Sequence, residues 1–517
     1  MTPKARAVFI GCVIFGAGLN PQVDHASGQN STSAVFSPSI PKTWDDAAMA
    51  TLEVPLADPV GSPKHVSAEY YYKIQVETID KQYPVYAPDH EPPGYLDWLK
   101  QQEPHIIWDD AGHRPPLQTT ADWIKAGEMV FDSVRTLGPV SFAEVRNPSW
   151  WTTVGATPAR DGTLPGYYYI ILKKGQVGVG NLSCAACHTR RMPDGTIIKG
   201  AQGNFPFDRA LVYAEQGVRT APPEAVQREH LGEYELYGAP WLNPDPQARL
   251  LHMPIDQMVS VHEAIPPGVV ARHRSSAFYP VQVPDLIGVK ERHYLDRTGL
   301  QQHRSIVDLM RYAALNQGGD DLASFDGFIP AGIPSFKKLP DPASQSRYSD
   351  EQLYALALYV YSLRPPSNPN KFDALAARGQ WIFDREGCTG CHTPPLYTNN
   401  KLTLAEGFTP PPGAEQKYDI MPISVSTDPN LALKTRRGTG YYKVPSLKGV
   451  WYRSMFGHSG WCATLEDWFD PRRVRDDYVP TGFKPYGAKT YAVKGHNFGL
   501  DLSAEDKKAL IAFLRTL

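Results

Sequence analysis

The sequence predicts a mostly α-helical, loop-rich chain in which one small unit is used twice in tandem, with long loop extensions around it. Three observations predict this. The 517 residues include 48 Pro and 42 Gly, yet 42% are hydrophobic and 11% aromatic, a composition that folds around cores while spending much of the chain in turns. The pattern Cys-x-x-Cys-His occurs twice. The segments flanking it recur in the same order, which marks an internal duplication. The charge balance, 52 Lys+Arg against 54 Asp+Glu, lacks the basic footprint of a nucleic-acid partner, so none is expected.

The chain starts with a secretory signature. Lys4 and Arg6 precede the apolar run Ala7–Leu19, a basic n-region and a short h-region, so residues 1–19 read as a signal peptide. The run is shorter than the roughly 20 apolar residues that span a bilayer. The mature protein is therefore expected in the periplasm or outside the cell, with no membrane span. An uncleaved anchor and a lipid on Cys12 are the alternatives. Residues 20–115 are rich in proline and aromatics, including Tyr70-Tyr71-Tyr72, Trp98 and Trp108, and read as an extension that wraps the first unit.

The two cysteine patterns are Cys184-Ala-Ala-Cys187-His188 and Cys388-Thr-Gly-Cys391-His392. This is the attachment pattern of haem c. Two thiols on one turn reach the two vinyl-derived carbons of a porphyrin, and the adjoining histidine brings its imidazole to the iron. A thioredoxin-like pair, a zinc site or two disulfides would leave the adjacent histidines unexplained, and a zinc site would not spread its ligands over about two hundred residues. Two covalently bound haem c groups are expected, with His188 and His392 as proximal ligands. Cys462 is left over and reads as a buried, inert thiol.

The duplication sets the domain boundaries. Ala126-Gly-Glu-Met-Val-Phe131-Asp132 resembles Arg378-Gly-Gln-Trp-Ile-Phe383-Asp384, and Val283-Pro-Asp-Leu-Ile-Gly-Val289 resembles Val444-Pro-Ser-Leu-Lys-Gly-Val450. Each unit closes with a helical pattern that starts at a serine N-cap followed by acidic residues, Ser349–Leu363 and Ser503–Leu517. Helix, haem attachment, loops and final helix are the order of a cytochrome c-like domain. The first unit is 116–363 and the second 372–517, joined by the Pro-rich linker 364–371. In the first unit, residues 132–183 are an insertion with no counterpart in the second. It holds Trp150, Trp151 and Tyr167-Tyr168-Tyr169, and reads either as a function-specific surface or as a loop with aromatics packed beneath it.

Several segments of the second unit carry a resemblance: Tyr442-Lys-Val-Pro-Ser-Leu-Lys-Gly-Val450, Phe456-Gly-His458-Ser-Gly460, Ala463-Thr-Leu-Glu466 and Gly499-Leu-Asp-Leu-Ser-Ala-Glu505. In this order they resemble the bacterial di-haem cytochrome c peroxidase superfamily, which includes peroxidases, the enzyme that matures methylamine dehydrogenase, and rubber oxygenases. The wide gap between the two haem patterns is most similar to the oxygenase branch. The resemblance implies an N-terminal haem that meets peroxide or dioxygen and a six-coordinate C-terminal haem that relays electrons from a redox-protein partner. It also implies a calcium ion between the units, for which no acidic loop is evident.

The peroxidases place a distal methionine shortly before Pro-Ser-Leu, whereas this chain reads Arg437-Gly-Thr-Gly-Tyr441-Tyr442. The substitutes are His496, Tyr441, Tyr442, Met421 and Met455, with His496 preferred because the rubber oxygenases pair two histidines. His458, which matches the family's Phe-His-x-Gly histidine, reads as ordering local structure. A peroxidatic site needs an acid–base group beside the iron. His303, Arg304, Glu263 beside His262, and His293 are the candidates, and Trp241 is the candidate electron relay. Three functions stay open: peroxide reduction or oxygen activation, pure electron transfer, and oxygenation of an apolar substrate.

Overall fold

In the computed structural model of the chain the described residues are 36–134, 140–272, 274–318, 322–330 and 338–517. The signal-peptide reading and Cys12 lie outside them, as do residues 20–35 of the extension and 135–139 of the insertion. Four elements of the extension and the first unit matter most: a strand β1 (Gln82–Tyr86) from the extension, helix α1 (Thr120–Asp132), and strands β2 (Thr163–Lys173) and β3 (Gln176–Gly180). They are followed by α2 (Ile306–Gly318) and α3 (Asp350–Ser362). The second unit contributes α4 (Ala374–Arg385), a three-stranded sheet of β4 (Leu402–Leu404), β5 (Ile420–Ser424) and β6 (Tyr441–Lys443), and the closing helix α5 (Ala504–Arg515).

Both serine caps are present. The Ser349 hydroxyl accepts from the Gln352 N–H in a capping box, and the Ser503 hydroxyl accepts from the Asp506 N–H, each satisfying a backbone donor that has no partner within the helix. Packing repeats along with the sequence. A Cβ on Gly127 of α1 would run into the Ala355 carbonyl of α3, and one on Gly379 of α4 would run into the Ala509 carbonyl of α5. One turn on, Phe131 meets Tyr359 at 5.2 Å between ring centroids and Phe383 meets Phe513 at 5.4 Å. The duplicated Gly-x-x-x-Phe is thus a helix-crossing device: glycine lets the backbones touch, and the aromatic fills the space beside them.

Helix outweighs strand and loops are many, as expected, but strand is substantial. Among the described residues helix accounts for 36% and strand for 14%, and the longest strand lies in the insertion that composition presented as loop. β2 is central in an antiparallel sheet, with β1 of the extension on one side and β3 on the other. The run Tyr167–Ile171 explains it, because aromatic and β-branched residues suit a pleated, half-buried surface. Trp150, Trp151, Tyr167 and Tyr169 then pack with Val85 and Leu99 into a core of their own.

The extension is fixed to the first unit by remote pairings. Residues 63–65 pair with 323–325, residues 75–76 pair with 346–347, and Glu53 bridges Gln301. Glu53 is buried against Arg274 and lies 3.6 Å from His65. Burial pushes its carboxyl pKa up, but Arg274 and His65 outweigh burial and hold it at about 2, below the usual 4.5. A lowered folded-state pKa stabilises above the unfolded value and is lost as pH falls through the folded one. The contribution is on the order of 3 kcal/mol at ~1.4 kcal/mol per pH unit. Glu53→Gln should therefore lower stability at pH 7 by roughly this amount in urea titrations, with the gap closing between about pH 4.5 and 2; a pH-independent gap would refute the pairing.

Candidate functional site

The second cavity is built by the turn that follows α4. Gly387, at φ 74°, breaks the helix, and Cys388–Gly390 forms a short 3₁₀ turn that leads Cys391 and His392 into the wall of a cavity of about 1480 Å³, counted out to solvent. The His392 ring N–H at Nδ1 donates to the Tyr397 carbonyl at 3.2 Å, which occupies that nitrogen and leaves Nε2 as the electron-pair donor. Burial lowers the His392 pKa to about 4, so the imidazole is neutral, as a metal ligand must be.

His496 faces it. The two rings are 6.4 Å apart between centroids. Two metal–nitrogen bonds of about 2 Å, with ~1.1 Å from each nitrogen to its ring centre, span this separation. The backbone is made to deliver this side chain: His496 sits at φ 47°, its N–H donates to the Val425 carbonyl at 2.6 Å, and its carbonyl accepts from Arg473 Nη2 at 2.7 Å. Its Nδ1 is shielded and has no hydrogen-bond partner. Burial first, then nearby His392 and Arg473, lower its pKa to about 3. Phe383, Val450, Leu465, Trp468 and Leu510 make much of the remaining wall apolar. A flat, largely apolar group with one metal centre fits these residues.

The first cavity, about 1000 Å³ counted out to solvent, has the same support and a different interior. Ser183 caps the Cys184–Cys187 turn by accepting from the Ala186 N–H. His188 Nδ1 donates to the Pro284 carbonyl at 3.0 Å, and burial lowers its pKa to about 4. The repeated Val-Pro segments explain themselves here. Pro284 supports His188, and the Pro445 carbonyl is among the hydrogen-bond partners of His392. Among the described residues lining this cavity there is no second histidine and no methionine. Arg272, Asp296, Tyr312, Asn316, Gln317 and Arg437 line it instead. Asp296 and Arg437 form a buried ion pair, with Asp296 held at φ 72°, a strained conformation of the kind that clusters at functional sites. Burial lowers the Arg437 pKa to about 9. Gln317 Nε2 donates to Cys184 Sγ at 3.1 Å, and Arg272 Nη1 to Cys187 Sγ at 3.5 Å.

The other sequence candidates lie elsewhere. His303 spends both ring nitrogens, on the Arg292 carbonyl at 2.7 Å and the Tyr361 hydroxyl at 2.6 Å. Arg304 pairs with Asp308 at 2.9 Å, and Glu263 is exposed. None of the three lines either large cavity. Trp241 lines neither and stacks on Phe325 at 5.2 Å. His262 is buried between Asp208 and Glu233, and His293 is exposed beside Asp419. Tyr442 and His458 line the second cavity but stack on each other at 4.0 Å. Tyr441 packs on Phe408. Met421 lies 3.7 Å from Cys391 Sγ, and Met455 packs in the core around Trp461 and Phe483. The Cys462 thiol is buried, its pKa raised to about 12 by burial.

Asp296 and Arg437 escaped sequence reasoning. Their signal was the stretch Arg437-Gly-Thr-Gly, expected to serve the second cavity, whereas its arginine reaches the first. Among the described residues no group of three or more His, Cys, Asp or Glu is placed to hold a metal ion. No helix among them is long and apolar enough to cross a membrane.

No family model and no curated protein matches the chain. Among solved structures it is similar to Kuenenia stuttgartiensis hydrazine synthase, at 14% identity over 59% of this chain and 92% of that one, with a TM-score of 0.28. It is also similar to a MauG-like protein associated with microbial copper homeostasis, at 17% identity over 46% and 73% of the two chains, again with a TM-score of 0.28. Both likenesses are weak.

Proposed function

We propose that the chain is an exported di-haem c-type oxidoreductase that reduces peroxide or activates oxygen at the N-terminal haem while the C-terminal haem relays electrons from a redox-protein donor. One observation carries this reading: among the described residues the two cavities are lined unequally. His392 faces a second imidazole across 6.4 Å, whereas no histidine or methionine among the described residues faces His188. Cys184, Cys187 and His188 would hold one haem, and Cys388, Cys391, His392 and His496 the other. The haems, when bound, supply an iron that exchanges electrons and, where a coordination position is open, takes up an oxidant. The chain's own residues do the rest. The proline and tyrosine carbonyls orient the imidazoles, and apolar walls keep water from the second site. In the first, the Arg437 guanidinium, held by its pair with Asp296, would stabilise negative charge.

The insertion does not favour an apolar substrate. Trp150, Trp151 and Tyr167 are buried in their own core and do not line the first cavity. The test is spectroscopic. Intact mass and pyridine haemochrome should show two haems per chain, and one in Cys184→Ala/Cys187→Ala. Optical and EPR spectra should show one low-spin and one high-spin species, with only the latter responding to hydrogen peroxide and carbon monoxide. Two low-spin species indifferent to both would leave a pure electron-transfer cytochrome.

A further inference from the structure

Next to both large cavities lies a third, small and polar, whose lining includes Asp285, Arg292, Arg297, Lys443 and Arg453. Arg297, Lys443 and Arg453 also line the second cavity, and Pro284, which supports His188, is shared with the first. Four cations here face one carboxylate among the lining residues. That carboxylate is already engaged: Asp285 accepts from the Tyr452 hydroxyl at 2.7 Å and the Ile287 N–H at 2.9 Å, and lies 3.9 Å from Arg453 Nε.

The cations otherwise rest on neutral oxygens. Lys443 Nζ donates to the Tyr294 carbonyl at 3.3 Å. Arg292 Nη2 donates to the Ile287 carbonyl at 2.7 Å, and Arg297 Nε to the Gln282 carbonyl at 3.5 Å. Arg453 Nη2 reaches the Ser446 and Lys448 carbonyls at 2.9 and 2.6 Å, while its Nε is buried without a hydrogen bond. Burial, followed by the neighbouring arginines, drives the Lys443 pKa well below its ordinary value. Desolvating like charges against so little counter-charge costs several kcal/mol per ion. A fold sustains that where an anion completes the site, since bonds from guanidinium and ammonium to carboxylate are among the strongest available. The largely apolar second cavity has its cationic groups concentrated on the wall it shares with this pocket.

We propose that Arg297, Lys443 and Arg453 form a carboxylate-binding cluster that takes the propionate groups of the C-terminal haem. This rests on the haem reading above. It sets a cationic anchor against the backbone that holds His188.

The test compares wild type with Arg297→Gln/Lys443→Met, with Lys443→Met alone as the milder variant, since it gives up a single 3.3 Å contact, and with Lys443→Arg. The expected result is two haems per chain throughout, and a lower midpoint potential of the low-spin haem in both charge-removing variants, because a nearby cation disfavours the oxidised iron. Their resonance Raman propionate-bending band should shift as well, and Lys443→Arg should keep both signals. Variants with full haem content, unmoved potential and unmoved band would overturn the proposal. So would a wild-type potential that follows added phosphate at constant ionic strength, which would mean a free anion fills the site. A wild type without haem would refute the haem reading itself, before any variant is made.

Discussion

His496→Ala is expected to convert the low-spin signal of the C-terminal haem completely to high-spin, with haem content unchanged at two per chain. The expectation follows from a geometry that is costly to build. His496 is held at φ 47°, and its ring sits 6.4 Å from that of His392. Its Nδ1 is shielded without a partner, and leaving such a group unsatisfied costs about 1–3 kcal/mol. A single role, ligation through the other nitrogen, gives the arrangement a return. Truncation opens a space that free imidazole should fill, so added imidazole should restore the low-spin spectrum. His458→Ala should leave that spectrum low-spin, because the His458 ring is stacked on Tyr442 at 4.0 Å and packed edge-on to Trp461. An unchanged spectrum in His496→Ala would move the assignment to another residue of the same wall.

The second large effect is on stability, and its sign is diagnostic. Alanine for glycine in a helix interior ordinarily stabilises by up to ~1 kcal/mol. Gly379→Ala should do the opposite, because the new methyl would overlap the Ala509 carbonyl, with Phe513 Cβ 2.7 Å away. A backbone atom cannot rotate aside, so α4 and α5 must separate, at a cost of about 1–3 kcal/mol or more for overpacking. Gly127→Ala should do the same to α1 and α3. Gly232, in the helix Pro223–Tyr237, is the control: a Cβ there meets nothing within 4 Å, and Gly232→Ala should stabilise. Chemical unfolding of the three variants decides the matter, and stabilisation by Gly379→Ala would refute the close crossing.

What was readable in the sequence was local. Two cysteines and a histidine on one turn, a serine before an acidic first turn, and glycine four residues before phenylalanine are spacings that chemistry fixes within a few residues. Even so, the role of the repeated Val-Pro needed the structure, because it lies in a carbonyl rather than a side chain. The sheet of β1, β2 and β3 was hidden for a different reason. Its central pairing joins residue 83 to residue 169, and nothing in either segment announces the other. Asp285, Arg292, Arg297, Lys443 and Arg453 each look like a solvated surface charge when met singly along the chain. Their meaning is collective, and it exists only once separate segments have been brought to one pocket.

The way the extension is fixed has a consequence for how the protein assembles. The second unit closes when α5 meets α4, and its sheet is completed within residues 402–443. The first unit cannot finish until residues 63–65 find 323–325 and residues 75–76 find 346–347. Pairings so distant along the chain pay their loop-closure entropy before any contact returns it, so contact order makes the first unit the slow one. In pulsed hydrogen exchange during refolding, amides of α4 and α5 should gain protection ahead of those in β2. A newly made chain would then pass through a stage in which the half around His392 is formed while the half around His188 is still open.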